Sequence, residues 1–152
     1  MHFRIKNYIS SLDALFNTAE NIADEEIQAH FSKYLCVKTS GLFENYLKFQ
    51  IGDFADTTSA KPIANHVKSK NKHFTNVNYD KLNTFLNSFD SDWWEKFNNQ
   101  LSDSMKSSLN SVISNRNNIA HGNTDNITFT NMKEHYKNIK KIINIIDSII
   151  KK

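Results

Sequence analysis

Apolar residues recur along this chain at steps of three and four, the spacing that lays one face of an α-helix against a core. From Phe3 to about Glu20, the positions Phe3, Ile5, Tyr8, Ile9, Leu12, Leu15, Phe16 and Ala19 make the first such stripe. Asp24, followed by Glu25 and Glu26, provides a capped, dipole-matched start for a long second helix. Its stripe runs Ile27, Phe31, Tyr34, Leu35, Lys38, Leu42, Tyr46 and Phe49, with an end expected near Gly52. Residues 52–61 read as a connection. Pro62 then suits the first turn of a short helix carrying Ile63 and Val67. After a turn at Asn76 to Asn78, the residues Tyr79, Leu82, Phe85, Leu86 and Phe89 form another short amphipathic segment.

Asp90-Ser91-Asp92 offers cap chemistry before Trp93 and Trp94. From there one register, Trp94, Phe97, Leu101, Met105, Leu109, Val112, Arg116 and Ile119, continues to Gly122, which stands where a helix terminator belongs. Asn131, with Glu134 three residues on, resembles a capping box opening a last helix whose stripe is Met132, His135, Ile139, Ile142, Ile146 and Ile149. Three glycines and one proline are too few for the turns of a sandwich or barrel. The expectation is an all-α antiparallel bundle of five or six helices, forming one domain over residues 1–152 without internal repeats.

With 152 residues, 39% of them hydrophobic and 12% aromatic, the chain can bury a sizeable core. It contains no run of about 18 apolar residues, the length that reads as a membrane span, and its start, MHFRIKNYISSLDALF, lacks an apolar leader core. A cytoplasmic location without membrane contact is expected. Cys36 is the only cysteine, so no internal disulfide can form, and no Cys/His set has zinc spacing; neither metal nor cofactor is expected. A formal charge of +3 permits nucleic-acid contact without demonstrating it.

Arg116 departs from the rest of its stripe. Only two of the 19 basic residues are arginines, and this one sits in a core-facing register, where an unpaired guanidinium is costly to desolvate. A carboxylate or a substrate phosphate would suit its planar donor fork, which lysine lacks. His121, five residues on, brings the side chain best suited to exchanging protons near neutral pH. On an ideal helix the two positions lie about 140° apart, whereas Asn117 and His121 share a face. Three arrangements would bring them together: an unwound helix end, an arginine that reaches round, or a second copy of the segment across a dimer.

The segment Arg116-Asn117-Asn118-Ile119-Ala120-His121 resembles the R-N-x-x-x-H signature of the HEPN superfamily of helical nucleases. YLCVKTSGLFENYLKFQ (34–50), FTNVNYDKLNTFLNSF (74–89) and DWWEKF (92–97) resemble, in order and spacing, the subgroup called RiboL-PSP-HEPN, a likeness covering about residues 25–125. The resemblance implies a homodimeric helical bundle that brings two motif segments together and cleaves RNA without a metal. It also implies a bacterial toxin or antiviral setting, with an antitoxin or defence-system partner protein. Arg116 and His121 would be catalytic, with the 2′-hydroxyl attacking phosphorus. Some toxins of this superfamily carry a modifiable tyrosine two residues after the histidine; here that position is Asn123.

Plainer readings stand beside these. Arg116 also suits a structural ion pair and His121 a simple helix cap. Asn117 suits an orienter of the histidine or phosphate, in a chain rich in asparagine. Glu44 is a candidate partner for Arg116, or an ordinary surface carboxylate. Lys68, Lys70 and Lys72, with His73 and Phe74, form either a track for an RNA backbone or a solvated loop. Trp93 and Trp94 suit core or interface anchors better than base-stacking platforms. The rival function is a non-catalytic HEPN module that binds RNA or nucleotide, or a dimerising subunit of a defence complex.

Overall fold

The computed structural model describes residues 1–150, which form seven α-helices and no strand. They are α1 (Phe3–Glu20), α2 (Glu25–Thr58), α3 (Lys61–Asn71), α4 (Tyr79–Phe89), α5 (Ser91–Asn98), α6 (Asp103–Ala120) and α7 (Phe129–Ile149). The all-α class is as expected, with seven helices where five or six were anticipated. Most starts are set by short polar side chains. Asp24 accepts from the Glu26 and Ile27 N–H groups, both at 3.0 Å, Asn78 from Lys81 at 2.9 Å and Ser102 from Met105 at 3.2 Å.

Four helices frame the site, and their directions follow from side-chain links. Glu20 meets Lys133 and the N-terminal ammonium of Met1 meets Asp147, so α1 and α7 run antiparallel. His135 reaches Ser108 and Asn138 reaches Ser104, so α6 and α7 are antiparallel too. Lys33 pairs with Asp125, ahead of α7, and Gln50 bonds the carbonyl of Ile150, so the long α2 runs parallel with α7. Leu35, Phe43 and Leu47 from α2, Leu109 and Val112 from α6, and Ile139, Ile142 and Ile143 from α7 meet in one continuous buried cluster. Among the described residues, no helix is long and apolar enough to cross a membrane.

Three local expectations are corrected. The connection placed at 52–61 is helical to Thr58, leaving a turn only at Ser59 and Ala60. Buried Ala55 and the Phe54 ring, edge-on to Trp93 at 4.9 Å, tie this stretch to the rest of the fold, and Thr57 and Thr58 hydroxyls donate back to helix carbonyls. The continuous register from Trp94 to Ile119 is two helices, broken at residues 99–102, because α5 and α6 turn their apolar faces to the same core. The last capping box is formed by Thr128 and Asn131, not by Asn131 and Glu134: Thr128 Oγ1 accepts from Asn131 N–H, and Asn131 Oδ1 from Thr128 N–H.

Candidate active site

The motif occupies the C-terminal turn of α6. Leu109 and Val112 hold that helix to the core with no exposed surface, and Arg116 continues their line one turn further on. There the core is running out, so Arg116 is only half-buried. That removes the need for a buried counter-charge: among the described residues, no carboxylate lies within 4.0 Å of Arg116. Its Nη1 instead donates to Oδ1 of Asn117 at 3.2 Å.

Helical winding persists through Ala120, and the His121 N–H still donates to the Asn117 carbonyl at 3.1 Å. The next two residues close the helix. Gly122, at φ +68°, donates to the carbonyl of Ile119 at 3.3 Å, and Asn123 donates to that of Asn118 at 2.8 Å. This pair of bonds is a Schellman cap, and its left-handed residue explains the glycine. His121 is thereby held at the helix end with its imidazole exposed. Of the three arrangements open to the motif, the chain itself shows the arginine reaching towards Asn117 on a helix that does not unwind.

Asn117 links the two candidates, through its side chain to Arg116 and its backbone to His121. The loop after the cap is pinned as well. Asp125, its side chain only 7% exposed, pairs with Lys33 of α2 at 3.0 Å and accepts from Ile127 N–H, while Asn126 N–H donates to Asn115 Oδ1 at 3.1 Å. Lys33 and Asp125 carried no signal in the sequence, since neither lies in a recognisable spacing.

Glu44 does something other than pair with Arg116. Its Oε1 accepts from the backbone N–H of Asn76 at 2.7 Å, fixing a residue at φ +54° in the connection between α3 and α4. Lys68, Lys70 and Lys72 stand on α3 or at its cap, exposed, on a helix that packs against α2 and does not touch α6. Lys68 is paired with Asp56 at 2.6 Å. Phe74 stacks on Phe85 at 4.2 Å within the fold, which leaves that ring less free for a base. Trp93 is buried, and half-buried Trp94 lies edge-on to Tyr79.

Two hollows flank the outer face of α6. One, of about 380 Å³, is lined by Asn117, Asn110 and, from the start of α4, Asn78 and Asp80. The other, of about 440 Å³, lies towards α7 and includes Asn118 and His135. A larger hollow, of about 830 Å³, opens between α1 and α7 beside the stacked Phe16 and Tyr136 rings. There Asp13 is already engaged by Tyr136 and Lys140, and no motif residue lines it, so the smaller hollows are the ones that matter for the motif. Among the described residues, no three His, Cys, Asp or Glu side chains gather where they could hold a cation.

A helical bundle that presents an arginine, an asparagine and a capped histidine in R-N-x-x-x-H spacing defines a HEPN domain. The RiboL-PSP-HEPN family model matches residues 3–152, and the chain belongs to that family. The match takes in α1 and α7 as well as the stretch from 25 to 125 that carries the resemblance. In general terms the family points to a nuclease or RNA-binding module. No curated protein and no solved structure matches the chain.

Proposed function

We propose that this protein is a metal-independent endoribonuclease acting as a homodimer, in a bacterial toxin or antiviral defence setting. The observation that carries the reading is the shared use of Asn117, which ties the arginine fork and the exposed histidine to one helix end. In this scheme His121 takes the proton from the substrate 2′-hydroxyl as its oxygen attacks the adjacent phosphorus. The bond to the 5′-oxygen breaks, and that oxygen leaves with a proton from solvent or from the second histidine of the dimer. The products are a 2′,3′-cyclic phosphate and a 5′-hydroxyl. Arg116 stabilises the charge on the non-bridging oxygens, where a planar fork matches two acceptors.

The test is cleavage of a single-stranded RNA in excess chelator, beside the same RNA methylated at every 2′-oxygen. Cleavage of the first and survival of the second support the scheme. Cleavage of the methylated strand, or dependence on added magnesium or manganese, overturns it. RNA that is shifted on a gel yet left intact would point to a non-catalytic binding module.

A further inference from the structure

The hollow between α6 and α7 is lined without a single charged side chain, in a chain with 19 basic and 16 acidic residues. Hydroxyls and amides such as Ser107, Ser111, Asn118, Asn126 and Asn131 make its walls, and His135 completes them. Burial lowers the pKa of His135, against a smaller opposing effect of Glu134, and its Nδ1 lies 3.0 Å from Ser108 Oγ. A surface that tracks phosphates carries lysine or arginine, whereas neutral donors and acceptors suit base edges and ribose hydroxyls. At about 440 Å³ the hollow falls within the range of ligand-sized pockets.

Of the five amides of this wall, two are engaged as both donor and acceptor and Asn110 accepts the Tyr79 N–H, while the Asn118 and Asn126 side chains make no hydrogen bond within the described residues. Asn115 donates to the Ser111 carbonyl and accepts from Asn126 N–H; Asn131 donates to the Asn126 carbonyl and accepts from Thr128 N–H. Asn118 differs from both. Its backbone carbonyl is fixed by Asn123 N–H, while its half-buried side-chain amide makes no hydrogen bond within the described residues and lines the hollow three residues before His121. Asn118 thus presents an amide with both donor and acceptor unengaged about one helical turn before His121, in a hollow that Arg116 and His121 do not themselves line.

We infer that Asn118 is a specificity-determining residue, its amide pairing with the edge of the base next to the phosphate at Arg116 and His121, inside the uncharged hollow between α6 and α7. The inference rests on the proposed RNA-cleaving site for the position of that phosphate and adds to it the selection of a base. Asn118→Asp keeps the shape but exchanges the amino donor for an acceptor, which changes the edge that can pair.

The experiment uses the full chain carrying His121→Ala, so that RNA is bound rather than consumed, and titrates it with short fluorescent oligomers of A, C, G and U. The affinities are expected to differ among the four. Asn118→Asp shifts their ranking by at least about fivefold and Asn118→Ala flattens it, the discrimination typical of one well-placed amide. Ranking rather than absolute affinity is the readout, because the aspartate also repels every oligomer. Equal affinities for the four oligomers in all three proteins, or an unchanged ranking, overturns the inference. If the ranking responds while the protein with His121 intact leaves RNA uncut, the cleavage reading fails and the base pocket stands.

Discussion

Arg116 donates to the side chain of its immediate neighbour Asn117, although consecutive helix positions point about 100° apart. The guanidinium is thereby drawn from the core-facing line of α6 towards the face that carries His121. Arg116→Ala and His121→Ala are each expected to lower RNA cleavage by about 10²–10⁴-fold. Arg116→Lys should fail similarly, since it keeps the charge and loses the fork. Asn117→Ala should cost less, about ten- to a hundredfold, because the backbone carbonyl that holds His121 remains. Single-turnover rates on one RNA rank the four variants; parental rates in Arg116→Ala and His121→Ala would refute the assignment.

Gly122 tests the cap separately from the chemistry. A Cβ there would meet nothing within 4 Å, so the strain of Gly122→Ala comes from φ +68° alone. Left-handed backbone costs a non-glycine residue about 1–2 kcal/mol. Thermal melting should show a loss of that order for Gly122→Ala and a smaller one for Gly122→Asn, which tolerates the conformation better. Equal melting temperatures for all three proteins would mean that the turn does not depend on the glycine.

Glu44 is expected to act on stability. Its carboxylate accepts the Asn76 N–H, and hydrogen bonds to charged groups contribute about 1.5–3 kcal/mol. Glu44→Ala should destabilise by about that amount in urea unfolding, while Glu44→Gln, which retains an acceptor oxygen, should lose less. Both should keep the folded protein's cleavage rate. A rate collapse in Glu44→Gln without loss of stability would return Glu44 to the active site.

The division of labour between subunits can be read by mixing. If each site draws Arg116 from one chain and His121 from the other, combining Arg116→Ala with His121→Ala chains regenerates one intact site per heterodimer. If all four residues surround one phosphate, the mixture remains inactive. Light scattering at micromolar concentration should give twice the chain mass. A fully active monomer would exclude a composite site.

The helix stripes and the caps at Asp24 and Asp90 were legible because each depends on residues close in sequence. Asp24 accepts the N–H groups of Glu26 and Ile27 and Asp90 that of Asp92, two or three residues on, whereas Ser102, which accepts the Met105 N–H, lies inside a register that reads as one helix. The end of α2 was not legible, since Gly52 and the polar run to Thr58 read as loop, and only contact of Phe54 with Trp93, far along the chain, favours helix. The break between α5 and α6 was hidden for the opposite reason: two helices facing one core can preserve a three-four spacing across a gap. At the site, the local motif was visible, whereas Lys33 with Asp125 and Glu44 with Asn76 are pairings between distant segments that no spacing announces.

The cap that closes α6 engages Asn123 by its main-chain amide alone, and the side chain at this position is exposed. Residue 123 is therefore spared from architectural duty. Substitutions there can change what the tip of the molecule displays, a phenol included, without shifting the imidazole two places earlier, so recognition by other molecules can diversify independently of the reactive centre.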